Sequence, residues 1–485
     1  MFRTLALISA LLFSLSGALA ELPEPENTGV NMIIGEKSGD YYAEVELYYE
    51  SDSGVELSSI TRTVYVPDGG SLAETALAEL FSSAGDQEHA SPMPGDATLC
   101  SIELAGSLAT VEVIVDMAGL QDDSELVAMF NAITNTLTGI DGVEAVNILV
   151  NSAPESVCGI PAGVLEHNDF STAVAWSRYQ AEAAGFLNNG QMALTRRVAL
   201  YFPSTNGQWL LPEVREVSFQ NEEYASQLML ELISGTNAGN AYANFLSGGA
   251  SIMTADPEIS ISSAGERVLE VYLSSTIRDY MLLQGLSEWQ LAGAITVTMC
   301  SFISGLDAVR VNIDGTPITR LNIRGQNKDF ETGLMRRSDF SMYIGSVGRL
   351  FFNDGNGGLI EVGRAMSSKR AQSAYSLVTQ LISGPSSADQ GAQQTMPVGV
   401  SAGDLLGVSV TDGIAVVNFS ANFYRLCQNM DADGERMLVY SIVNTLCGLP
   451  GISAVRIVVE GEQVEALLVS IYLKGELLPY PGIVK

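Results

Sequence analysis

Ala132-Ile133-Thr134-Asn135-Thr136-Leu137, Ala294-Ile295-Thr296-Val297-Thr298-Met299 and Ser441-Ile442-Val443-Asn444-Thr445-Leu446 are three versions of one hexapeptide. Each reads as the end of an apolar helix and is followed by a glycine, Gly139, Gly305 or Gly448, suited to stopping it. Each glycine leads into an apolar run predicted to be a strand, over 143–150, 308–313 and 454–459. A pattern returning in the same order three times is the mark of tandem units, and it outranks any single motif.

The repetition extends upstream. A first helix ends Leu232-Ile233-Ser234-Gly235 in the second copy and Leu381-Ile382-Ser383-Gly384 in the third, with the weaker Leu80-Phe81-Ser82 in the first. Ala374, Leu377, Val378, Leu381 and Ile382 place one apolar stripe along that helix. Before it runs a strand carrying one arginine, Arg62, Arg215 or Arg364, preceded by a turn and a further strand. Asn206-Gly207 and Asp354-Gly355-Asn356-Gly357-Gly358 are turn sequences suited to such a hairpin. Between the helices a second strand pair is predicted over 99–104 and 109–115, 258–263 and 268–273, and 405–410 and 414–419. Each unit therefore reads β-β-α-β-β-α-β. The chain is expected to be α+β, with three tandem small domains over 41–152, 194–316 and 346–463 whose helices pack on a sheet. The joins over 151–194 and 316–344 are more polar and helix-compatible, and a tail over 464–485 carries a strand-like stretch at 466–473.

The remainder of the chain limits function. Arg3, the apolar run 5–15 and Ala18-Leu19-Ala20 read as a secretory signal over 1–20, cleaved after Ala20, although its length also suits a retained anchor. No later stretch is long and apolar enough to span a bilayer. With Asp+Glu at 56 against Lys+Arg at 24, the net charge of -32 argues against nucleic acid, since little is left to neutralise phosphates. The five cysteines cannot all pair within one chain, and Cys300 and Cys447 read as small buried apolar residues on helices.

The third copy, with Leu381-Ile382-Ser383-Gly384-Pro385, Met396-Pro397, the run Asp412-Gly413-Ile414-Ala415-Val416-Val417-Asn418-Phe419-Ser420, Phe423, Asn444-Thr445, Gly451, Val455 and Gly461, resembles the GerMN domain family, first known from the sporulation and germination protein GerM. The first copy keeps Arg62, Pro94, Asn135-Thr136 and Gly142; the second keeps Tyr201-Phe202-Pro203, Arg215 and Thr298 but has Val297 for the asparagine. The resemblance implies an extracytoplasmic, non-enzymatic protein similar to ring-building modules, with other envelope proteins or its own copies as partners. Three domains and no anchor cysteine after the signal depart from the usual two-domain lipid-anchored form.

Candidate chemistry is sparse. Gly399-Val400-Ser401-Ala402-Gly403 spells a nucleophile elbow, but neither His89 nor His167 lies downstream to serve it. Asn429, Asp431, Asp433 and Gly434 resemble the start of a calcium loop, yet its twelfth position is Tyr440, and Asp433 reads more simply as a helix N-cap. No catalytic residue, cofactor or metal is therefore expected. Arg62, Arg215 and Arg364 read as ion-pairing or carbonyl-bonding residues, or as an interface. Thr136, Thr298 and Thr445 read as packed mid-helix residues able to bond the preceding turn. The expected function is a secreted, assembly-type envelope protein in sporulation or germination. The rival readings are a glycan binder built on Trp176, Trp209 or Trp289 and a hydrolase using paired carboxylates.

Overall fold

The computed structural model describes residues 41–51, 57–67, 71–82, 89–187, 192–239, 241–246, 252–468 and 470–485; the signal over 1–20 lies outside them. The order β-β-α-β-β-α-β is present three times. In the first unit it runs Tyr41–Ser51, Leu57–Val66, Leu72–Ser82, Thr98–Ala105, Leu108–Ile114, Ser124–Thr138 and Ala145–Val150. In the second it runs Leu194–Pro203, Leu210–Phe219, Tyr224–Ser234, Met253–Ile261, Arg267–Leu273, Glu288–Cys300 and Ala308–Ile313. In the third it runs Gly345–Asn353, Leu359–Ser367, Ala374–Ser383, Leu405–Thr411, Ile414–Phe419, Ala432–Leu446 and Ala454–Val459.

Within each unit the second strand pair is antiparallel, and its inner strand pairs in parallel with the closing strand after the second helix has crossed over. That parallel pairing explains the deep burial of the closing strand: all six residues of Ala145–Val150, Asn147 among them, are buried, as a strand covered on both faces requires. The second helix lies between the hairpin and the sheet, touching the first hairpin strand and the closing strand in all three units. Residues 289–300 are accordingly buried all round the helix rather than along one stripe.

A pair of side chains on the second helix ties the unit together. The threonine hydroxyl accepts the backbone N–H of the first hairpin strand in every copy: Thr136 from Tyr48 at 3.2 Å, Thr298 from Tyr201 at 2.9 Å and Thr445 from Phe351 at 3.1 Å. The threonines are packed as expected, and their hydroxyls also accept from a strand far away in sequence. In the third unit Ser441 adds the reciprocal bond, donating to the Phe351 carbonyl at 2.5 Å, so the helix serves both groups that a further strand would have paired. The asparagine beside the threonine holds the other end of the unit. Asn135 donates to the Asn168 carbonyl at 2.7 Å and accepts its N–H at 3.1 Å; Asn444 does the same for Tyr480, at 3.2 and 2.8 Å. Val297 leaves the second unit without this clamp.

Asn168 and Tyr480 belong to segments that return to their own unit. Leu165, Met335 and Leu477 each exchange two backbone hydrogen bonds, of 2.8–2.9 Å, with the second residue of the closing strand: Val146, Val309 and Val455. Parts of the expected joins and tail are therefore strapped to the sheets. The first join ends in a helix, Thr172–Leu187; the second instead forms a hairpin, Arg320–Ile323 with Gln326–Asp329, and 3-10 turns.

Other expectations shift by a few residues. The left-handed residue between second helix and closing strand is Gly142 (φ 89°), Gly305 (φ 62°) or Gly451 (φ 73°), whereas Gly139 stays right-handed at φ −75°. The described residues of the stretch 466–473 form no strand; Leu467 and Leu473 are buried in the third core, and the Leu473 N–H donates to the Glu465 carbonyl at 2.8 Å. Asp431, not Asp433, caps the last helix, accepting the Gly434 N–H at 2.7 Å. Cys300 is buried as expected, but Cys447 is only half-buried.

Replacing Thr445 by Val keeps the shape and leaves the Phe351 N–H buried without an acceptor, which costs about 1–3 kcal/mol. Denaturant unfolding is expected to show that loss, with Thr445→Ser closer to wild type; equal stability of the valine variant would remove the bond from the account.

Candidate functional site

Arg62, Arg215 and Arg364 occupy one register, opposite Val45, Val198 and Gly348, each three residues before the strand residue whose N–H the threonine accepts. Arg364 spans from its strand to the end of the first helix, donating to Gln380 Oε1 (2.9 Å), the Gly384 carbonyl (3.1 Å) and Asp389 Oδ2 (2.7 Å). Arg215 makes the matching set with Glu231 Oε2 (3.0 Å) and the Gly235 carbonyl (2.9 Å), and adds Glu213. Gly235 and Gly384 end those helices at φ 87° and 81°. The guanidinium thus satisfies carbonyls that a helix C-terminus leaves open. Burial works against the Arg215 charge, but Glu213 and Glu231 more than offset it and raise its pKa. Burial also pushes the Glu213 carboxyl up, yet the Thr236 hydroxyl and Arg215 hold it below the usual range. Arg62 sits at the same register, while the loop its copy would address, 83–88, lies outside the described residues.

The units meet through a second arginine that the sequence reading missed. Arg337, on the second join, donates to Glu103 Oε1 of the first unit at 3.0 Å and to Ser301 Oγ of the second at 3.2 Å. Burial disfavours its charge, and the Glu103 carboxylate outweighs that and raises its pKa. Asn147 reaches the Ser301 carbonyl at 3.3 Å, and Ser156 meets Ser304 at 2.7 Å. The third unit is held by Asn206 to the Ala365 carbonyl (2.9 Å), by a parallel bridge between Leu210 and Ile344, and by Ser346 accepting the Gly106 N–H (2.9 Å).

A cleft of about 350 Å³ opens at the first of these junctions. Its carboxylates are engaged: Glu103 with Arg337, Glu266 with Arg336, and Glu112 with the Ser152 hydroxyl at 2.5 Å. Ser401 is likewise tied down, donating to Asp404 Oδ2 at 3.1 Å. Burial pushes the Asp404 carboxyl up, but bonds from Ser420, Asn422 and Ser401 overcome this and bring it down to about 2. Such a serine has a carboxylate acceptor and, among the described residues, no imidazole beside it. His167 lies against Thr138 (3.2 Å) and the Tyr48 ring, at the surface of the first unit. The side chain of His89 is outside the described residues. Among the described residues no three His, Cys, Asp or Glu side chains gather as metal ligands. The tryptophans build no platform: Trp289 is buried at 2% exposure, Trp209 lies under Arg324, and Trp176 packs on the first core.

Three copies of one α+β unit define a repeat scaffold. The sequence profile of the Germane family, described as sporulation and spore germination, matches residues 46–156, 199–319 and 349–465. The chain belongs to this family and carries its domain three times. Among solved structures it is similar to the tandem GerMN domains of the sporulation protein GerM from Bacillus subtilis, at 17% identity and a TM-score of 0.25, over 59% of this chain and 98% of that one. It is also similar to the first GerMN domain of the same protein, at 19% identity and a TM-score of 0.20, over 26% of this chain and 96% of that one. No curated protein matches the chain. No helix among the described residues is long and apolar enough to cross a membrane.

Arg364→Ala leaves the Asp389 carboxylate, itself 8% exposed, without its cation. A loss of about 1–3 kcal/mol is expected on unfolding; unchanged melting together with lost partner binding would instead assign the arginine to an interface.

Proposed function

We propose that this chain is a non-enzymatic, extracytoplasmic assembly protein of sporulation or germination, and that a second copy of itself docks on the outer face of the first hairpin. The observation that carries this reading is an inequality between equivalent faces. In the first unit Tyr42 is 70% exposed and its cross-strand neighbour Tyr65 is 49% exposed, with Glu44 and Glu46 also open to solvent. In the second unit the same face is shut at the positions of Glu46 and Tyr48, where Ala199 is 2% exposed and Tyr201 0%, the latter beside Thr110, Glu103 and Arg337 at the first unit's sheet; Thr195 and Ser218, at the positions of Tyr42 and Tyr65, stay exposed. In the third unit Phe351 is buried with Ile483 of the tail.

The chain therefore already seats one hairpin face against a preceding sheet face. The second unit carries the corresponding sheet face, with Glu258 exposed and Tyr272 half-buried. A contact between two different faces of identical chains propagates into rings or filaments. The exposed tyrosine rings are tilted by 55°, which suits insertion between side chains better than a flat sugar platform.

The residues 1–20 and the family membership support export; N-terminal sequencing of the exported chain is expected to begin at Glu21, and a start at Met1 would mean a retained anchor. For assembly, light scattering across micromolar concentrations should show mass rising with concentration. The pair Tyr42→Glu and Tyr65→Glu should return the chain to monomer without altering its melting. A wild-type chain that stays monomeric throughout, or an assembly indifferent to both changes, overturns the proposal.

A further inference from the structure

Beside the second helix of the first unit, a cleft of about 210 Å³ lies between that helix, its return segment and the helix Thr172–Leu187. Asn131 lines it at 7% exposure; its Oδ1 accepts from Asn168 Nδ2 at 3.3 Å, while its own Nδ2 has no partner. On the rim Arg178 stands over the Phe170 ring at 3.9 Å. Its guanidinium has no carboxylate partner among the described residues, although the chain carries 56 acidic side chains. Leu165, Ala175 and the Tyr179 ring supply the apolar wall. Glu182, also at this cleft, is neutralised by Arg196 at 2.7 Å.

The other two units close the same place. Counting five residues back from the strand-bonding threonine gives Asn131, Gly293 and Tyr440. A Cβ at Gly293 would stand 2.9 Å from the Phe340 ring, and Phe340, from the second return segment, is wholly buried there. In the third unit Tyr440 meets the Tyr480 ring with centroids 5.3 Å apart. Among the described residues, the first unit alone has a buried amide in place of this aromatic contact, with the Arg178 guanidinium lining the same cleft.

We propose that this cleft binds a small carboxylate carried on an apolar group, as in the C-terminal residue of a peptide or an N-acylated amino acid. A planar guanidinium matches a carboxylate through two parallel hydrogen bonds, and the idle amide supplies a further donor. The apolar wall fits a group of about one side chain. Its lining residues are not those of the proposed hairpin contact, and its test reads ligand binding rather than mass.

Calorimetry of the full chain with N-acetyl-leucine and N-acetyl-leucinamide provides the test. Saturable binding of the acid is expected, weakened at least about tenfold in the amide and again in Arg178→Ala, whose side chain lies at the rim. Asn131→Tyr, which copies the third unit, should abolish binding; a melting curve confirms that it folds. Acetyl-Ala-Ala-Leu binding about tenfold tighter than the amino acid would identify a chain end as the ligand, and equal affinity a free acid. Acid and amide binding alike, no heat up to about 10 mM, or an Arg178→Ala variant equal to wild type would overturn the proposal.

Discussion

A backbone N–H on an outer strand edge has nowhere to go unless something brings it an acceptor. In each unit the second helix fills that need, setting a threonine oxygen against the strand residue Tyr48, Tyr201 or Phe351. The bond fixes the depth and rotation of the helix against the hairpin, and the remaining contacts follow. The helix must be apolar all round because it lies between two β-layers. The closing strand is buried on both faces because the helix covers one and a neighbouring unit or segment covers the other, so the asparagine within it must find a partner, as Asn147 does at the Ser301 carbonyl. The adjoining asparagine takes its place by helical geometry: one residue before the strand-facing position, it points to the return segment in the first and third units.

Much of this was legible in the sequence because periodicity carried it. The strand–helix order, the register of Arg62, Arg215 and Arg364 and the buried second helix all follow from apolar spacing repeated three times. The threonine's partner was not legible, since Thr136 and Tyr48 lie 88 residues apart and no local pattern joins them. The recurrence of Asn135-Thr136 and Asn444-Thr445, against Val297-Thr298, was the available signal; read as a pair, it separates a bond present in every unit from one present in two. Helix ends were misjudged because several candidate caps stood close together. Asp431 and Asp433 are two residues apart, and only the extended backbone at Asp431 suits an N-cap. The Glu103–Arg337 junction had no signature at all, because its partners occur once each.

Chemistry thus separates from scaffold in this chain. What recurs fastens each domain internally, while what differs decides how a face is used. Tyr201 is buried against the neighbouring unit, Phe351 beneath the tail, and Tyr48 half-open near His167. The acidic side chains follow the same division. Those facing arginine inside or between units form short bonded pairs, and Glu44 and Glu46 are left on the open hairpin of the first unit.

The paired bonds at Leu165, Met335 and Leu477 also bear on how such a chain could have grown. In all three units the residue that completes the sheet lies beyond the last residue of the family match, at 156, 319 and 465. A gene duplication that copied only the recognisable segment would have delivered a domain whose closing strand was unpaired along the start of its outer edge, an invitation to aggregate. The inheritable block is consequently longer than the one that similarity reveals. Its final stretch is free to diverge in side chains because it is held by backbone, which accounts for three returns with different sequences performing one closure.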